Sequence, residues 1–297
     1  MLLRTLRRTI VLAFVVTSPL SAQAGRTAYT DGMRLMQQGK FDDAEKKFER
    51  AISQERGVGQ YHLALGQAVG AQAQNANMVR QGFMARRVKQ EFEAAVRLDP
   101  SLLDAREGLM QFHLMAPGVM GGDPAEARRQ QVEIAKRNVI RGHLAQAMIT
   151  WRARDTVATE RAIRAAITAA PDSAGPMIAL AQRQANWGRT PAAFATLNEF
   201  LLRNPTSVPT RYQFGRLAAL SGQNLARGES CLRGLLADQS WQSSQYAPSR
   251  AAMNARLGDV LRHQGKKSEA RASYNAALAL DRELSIAKEG LRALDAR

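Results

Sequence analysis

The stretch QQGKFDDAEKKFERAI, from Gln37 to Ile52, returns in outline as HQGKKSEARASYNAAL, from His263 to Leu278. Gly39 and Gly265, Ala44 and Ala270, Phe48 and Tyr274, and Ala51 and Ala277 occupy matching places. Steps of four and then three put the alanines and the aromatic on one face of a helix. The glycine stands where a chain leaving one helix needs a positive φ before entering the next. The stretch therefore predicts a turn and the second helix of a helical hairpin. Working outward, Gly32 and Gly66, Pro171 and Pro205, and Gly188 and Gly222 are each 34 residues apart. Gly32 and Gly258 fall where two helices must cross closely, and Pro100, Pro171 and Pro205 fall where second helices must stop. One hairpin cannot bury its apolar stripe alone, so a regular period implies stacked neighbours.

These residues resemble the tetratricopeptide repeat, a pair of antiparallel helices with small residues at set packing positions, an aromatic between them and a closing proline. The best matches are 25–58 (Gly32, Ala44, Phe48, Ala51) and 251–284 (Gly258, Ala270, Tyr274, Ala277). The repeat at 174–207 keeps Gly188, Ala193 and Pro205 but has Phe200 at a small position. The one at 208–241 keeps Gly215 and Gly222, with Arg227, Cys231 and Gly234 where Ala, aromatic and Ala are usual. Residues 59–173 read as degenerate repeats. The resemblance implies an all-α fold, a right-handed α-solenoid of about seven such hairpins with a C-terminal capping helix from Leu284 to Leu294.

Two inserts break the period, around Ala71 to Gly82 and Ala237 to Ser249; both are polar and are expected to be loops. A third irregularity, Ala116 to Pro124, separates two helices, and Asp123, Pro124 and Glu126 predict a capped helix start. The phrase LMQFHLMAPGVMGGDPAEA resembles a segment of exported bacterial tetratricopeptide proteins of uncharacterised activity, which implies a bacterial envelope and no mechanism.

The first 24 residues read as a signal peptide. Arg4, Arg7 and Arg8 precede an apolar run from Ile10 to Val16, then Pro19 as a helix breaker, then Ala22-Gln23-Ala24. The run is too short for a membrane anchor, so cleavage after Ala24 and a periplasmic or secreted location are expected. No later segment has the length of apolar sequence that a transmembrane helix needs.

The chain has 297 residues, 45% hydrophobic and 6% aromatic, with one Cys, which excludes collagen, a disulfide-stapled miniprotein and a mostly disordered chain. Its net charge of +16 suggests polyanion binding. Residues 1–24 hold three of the excess positive charges, 25–139 hold +3 and 140–297 hold +10. No basic stripe interleaved with aromatics accompanies that charge, so nucleic acid is not expected as a partner. The chain also lacks paired histidines, HExxH, CxxC, GxSxG and the GK[ST] of a phosphate loop. No catalytic residue, cofactor or metal is expected. Cys231 reads as a packing residue.

What remains is surface. The resemblance implies that ligands lie along first helices, at Tyr29, Met33, Met36 and Gln37, at Gln182 and Asn186, at Tyr212 and Arg216, and at Asp259, Arg262 and His263. It implies a non-enzymatic scaffold for a protein or peptide partner, with the basic second half favouring an acidic one. Met33 and Met36 serve equally well as hairpin core. The competing reading is a basic binder of anionic envelope polymers or membrane surfaces.

Overall fold

The computed structural model describes residues 19–74, 76–238 and 248–296. The chain divides into two compact units, residues 1–138 and 139–297. Unit 1 contains α1 (Pro19–Gln37), α2 (Phe41–Gln54), α3 (Gly59–Ala73), α4 (Met78–Leu98), α5 (Leu103–Met115), a 3-10 turn (Gly118–Met120) and α6 (Pro124–Arg137). Unit 2 contains α7 (Val139–Arg152), α8 (Thr156–Ala169), α9 (Ala174–Asn186), α10 (Thr190–Arg203), α11 (Val208–Ser221), α12 (Leu225–Ala237), α13 (Arg250–His263), α14 (Lys267–Leu280) and α15 (Ser285–Asp295). Among the described residues, consecutive helices pair into seven hairpins, and α15 packs on the last of them.

The first, second, sixth and seventh hairpins close by setting an aromatic or leucine against a missing side chain. A Cβ on Gly66 would lie 2.7 Å from the Phe92 ring, and one on Gly108 of the following hairpin 2.9 Å from the same ring. Phe92 therefore fills the space between two glycines and ties α4 to both α3 and α5. Tyr274 does the same in unit 2, between Gly258 and Gly290, where added Cβ atoms would come within 2.6 and 2.2 Å of it. Phe48 and Tyr274 are fully buried, as are Ala44, Ala51, Ala270 and Ala277 beside them. At the turns, Gly39 and Gly265 have φ of 72° and 77°, which a side chain would strain.

In the sixth hairpin a fixed period misplaces the second helix. Gly222 is followed by two more residues before α12 begins, the second being Asn224 with φ 51°. That adds one residue relative to the first hairpin and shifts the inward face by one. The side chain against Gly215 is Leu232, not Cys231: a Cβ at 215 would be 2.4 Å from it. Gly228, Leu232 and Leu235 are the buried row that Arg227, Cys231 and Gly234 were expected to form. Cys231 is still buried, and burial pushes its thiol pKa up despite the opposing charges of Arg211 and Arg227.

One further expectation is corrected. The insert at Ala71 to Gly82 is mostly helix: Asn77 accepts a hydrogen bond from the Arg80 N–H at 3.0 Å and caps α4, which then runs for 21 residues. A polar segment with a good cap extends the helix instead of opening a loop. Among the described residues α1 runs from Pro19 to Gln37. Most of the 237–249 insert lies outside the described residues, as does the charged and apolar start of the chain. The Ala116 to Pro124 connection ends on Asp123, whose carboxylate accepts from the Ala125 N–H at 2.8 Å, with Pro124 opening α6. Donation from Ala125 and Glu126 N–H groups holds that carboxyl below its ordinary pKa. Among the described residues no helix is long and apolar enough to cross a membrane.

Ion pairs join neighbouring hairpins. In unit 1 Arg87 of α4 reaches Glu45 and Glu49 of α2. In unit 2 Lys266 pairs with Glu229 at 2.9 Å and Arg233 with Glu269 at 2.6 Å. Burial works against the Glu229 carboxylate, but hydrogen bonds from Lys266, Arg233 and Gln264 hold its pKa at about 2.

Candidate functional site

In unit 2, α9 and α11 are the first helices of adjacent hairpins, and the space between them is a groove of about 330 Å³. From α9 it takes Ile178, Ala181, Gln182, Ala185 and Asn186, which recur at helical spacing along one face. From α11 it takes Tyr212, Gln213, Arg216, Leu217 and Leu220, and Leu197 of α10 closes the floor. The small side chains at 181 and 185 leave the room, and Leu197 supplies a buried apolar base. Arg216 is the one charged side chain in the lining. The walls thus offer three amide side chains, a phenol and one guanidinium over an apolar floor.

Contacts behind the groove hold α9 in place. Within the fifth hairpin the Thr196 hydroxyl donates to the buried Gln184 side-chain oxygen at 2.8 Å. Toward the fourth hairpin, Arg183 lies over the Trp151 ring at 4.3 Å from its centroid, and Trp151 meets Trp187 at 6.2 Å. Arg189, over Trp187 at 5.4 Å, also donates to Glu160 of α8 at 3.2 Å. Burial lowers the pKa of Arg183, and the Trp151 ring face is its cation's neighbour there.

The expected partner residues divide sharply. Gln182, Asn186, Tyr212 and Arg216 line this one groove. Tyr29 lies between hairpins instead, its ring 5.9 Å from that of Phe48 and 5.2 Å from that of Tyr61, its hydroxyl accepting from Gln60 at 3.2 Å. Met33 and Met36 pack half-buried against the core that contains Phe48 and Leu63. Asp259 is turned inward and is only 8% exposed; it accepts from the Tyr274 hydroxyl at 2.8 Å and pairs with Arg256 at 3.1 Å. A carboxylate so engaged is an internal tie and not a surface contact. Burial and that carboxylate together raise the Tyr274 pKa, while Arg262 beside the hydroxyl acts the other way. Gln37 and His263 are exposed at the ends of α1 and α13.

Unit 1 has a cleft that sequence reasoning missed, about 520 Å³ between α3, α4 and α5. Gly66, Gly70 and Gly108 open it, Phe92 and Phe112 floor it, and Asp104 and Glu107 make its rim acidic. Gly66, 34 residues after Gly32, and Gly108, 42 residues further on, were its visible signal. Among the described residues no three His, Cys, Asp or Glu side chains come together as a metal cluster. His62 pairs with Glu91 at 2.7 Å, while His113 is buried near the Ala116 to Pro124 connection.

Comparison with known proteins agrees with this architecture. The tetratricopeptide repeat family matches residues 29–72 and 217–284. Yeast Tom70 is similar in structure with a TM-score of 0.63 at 12% identity, over 95% of this chain and 58% of Tom70. A tetratricopeptide repeat protein from Parabacteroides merdae is similar with a TM-score of 0.50 at 13% identity, over 92% of this chain and all of that one. Comparison with curated proteins finds no match. The described residues thus form an all-α array of helical hairpins, and the two matched stretches, 29–72 and 217–284, are similar to tetratricopeptide repeats, which are characteristically protein-interaction modules.

Proposed function

We propose that the protein is an exported, non-catalytic scaffold that holds a segment of a protein partner in the groove between α9 and α11. The observation that carries the reading is the convergence of Gln182, Asn186, Tyr212 and Arg216 on one preformed groove. Gln182, Asn186 and Gln213 offer donors and acceptors to a peptide backbone. Tyr212 presents a rigid amphipathic ring, and Arg216 favours an acidic side chain. Binding is stoichiometric and draws on several shallow contacts whose geometry exists before the partner arrives. Export to a periplasm or the medium, with cleavage after Ala24, is supported by the cationic, apolar and small-residue order of residues 1–24.

The test is affinity capture from an envelope extract at low and high salt, with the Tyr212→Ala, Arg216→Ala double variant beside the parent. Salt-tolerant capture of one protein by the parent, lost in the variant, supports the scaffold. Equal capture by both removes the groove from the account. The charge of +10 over residues 140–297 supports the second reading, an anionic polymer, and steep loss of binding with salt would favour it.

A further inference from the structure

Hairpin packing leaves a group of apolar side chains uncovered in unit 1, well apart in sequence from the groove residues. Met78, Val79 and Phe83 on the first turns of α4 are 79, 74 and 69% exposed, and Val119 on the 3-10 turn is 91% exposed. Val79 and Phe83 line a shallow cleft of about 320 Å³ together with Val119, Met120 and Arg86, so the helix end and the turn share one face. Both segments are departures from the 34-residue period. Four large apolar side chains held in water need a cover.

Charge says what that cover is. From Arg56 to Gln90 the chain has five basic residues and no acidic one. Arg87 is engaged by Glu45 and Glu49, but among the described residues Arg80 and Arg86 make no ion pair. Both arginines are exposed on the same helical segment as Val79 and Phe83, Arg86 lining their cleft and Arg80 an adjoining one that also holds Asp42 and Asp43. An apolar knob beside unpaired guanidinium groups matches a surface that is anionic outside and apolar beneath. We propose that this face docks on an anionic lipid bilayer, with Val79, Phe83 and Val119 entering the acyl boundary and Arg80 and Arg86 at headgroup phosphates. Side chains of this kind reach about 5–10 Å into the boundary, and each basic residue adds an attraction that salt screens.

The experiment is co-sedimentation of the full chain with vesicles of phosphatidylcholine alone or mixed with phosphatidylglycerol. Residues 1–24 are common to every variant, so differences report the patch. The parent should bind the mixed vesicles, and salt should weaken it. Arg80→Ala, Arg86→Ala should lose about fivefold per arginine, and Phe83→Ser, Val119→Ser on the order of tenfold. All four positions are exposed, so the variants should melt with the parent. Phe83→Trp keeps the patch apolar, and the emission it adds to the parent's should move to the blue only with mixed vesicles. Binding that neither double variant weakens, or added indole emission that does not move, overturns the proposal. So does a parent that stays in the supernatant, which would assign the face to a protein partner.

Discussion

Phe48 occupies the space that a side chain at position 32 would need: a Cβ built on Gly32 lies 2.5 Å from Cε1 of its ring. Phe48 is fully buried and Tyr29 leans on it, so the ring has nowhere to go. Gly32→Ala should therefore destabilise by about 1–3 kcal/mol, the range for overpacking. Gly82, inside α4 of the same unit, meets nothing within 4 Å. Gly82→Ala should stabilise by up to about 1 kcal/mol through helix propensity. Urea denaturation of the two variants checks the opposite signs, and equal signs would contradict the packing described.

The shifted face of α12 makes a second prediction. Leu232 is fully buried against Gly215, whereas Cys231 is displaced from that row. Leu232→Ala should cost about 2–5 kcal/mol and Cys231→Ala about 1 kcal/mol or less. A fixed 34-residue period predicts the reverse order, so the two melting curves decide between the registers.

Stability should also depend on pH through His113. The ring is 3% exposed, and neither nitrogen has a hydrogen-bond partner among the described residues. Burial lowers its pKa, Lys89 adds to this, and Glu126, Asp123 and Glu93 oppose it. The unfolded chain then takes up this proton more readily than the folded one. The stability contributed by neutral His113 is full above about 6.5 and is lost as pH falls below that value toward the lower folded pKa. Chemical denaturation of the parent and of His113→Leu at stepped pH should show the parent weakening over that window and the variant less so. Parallel curves would contradict the role given to this ring.

Hairpin closure was legible because its determinants are local. Gly32 and Phe48, or Gly258 and Tyr274, stand 16 residues apart, and small residues flank each aromatic at helical steps. Features that depend on a single added residue or on burial of charge were not. The extra residue at Gly222 to Asn224 leaves composition unchanged while rotating the packing row of α12. Asp259 reads as a surface residue until Tyr274 and Arg256 are seen to satisfy it. The start of α4 reads as a polar loop because its Asn and Gln residues suit both a cap and a turn. On the groove, the positions that the tetratricopeptide resemblance assigns to first helices singled out four lining residues on α9 and α11. Along α1, the same positions meet the Phe48 and Tyr61 rings instead, and core packing claims them.

The central claim is that the groove between α9 and α11 is where a protein partner lies, and site-specific photocrosslinking in the producing cell tests it most directly. A photoreactive side chain at Gln182 or Gln213 lines the groove, and one at Arg161, exposed on α8, serves as the control. The account predicts the same discrete protein adduct from 182 and 213, weakened by Arg216→Glu and absent from 161. Adducts of equal yield and identity from all three positions would contradict it.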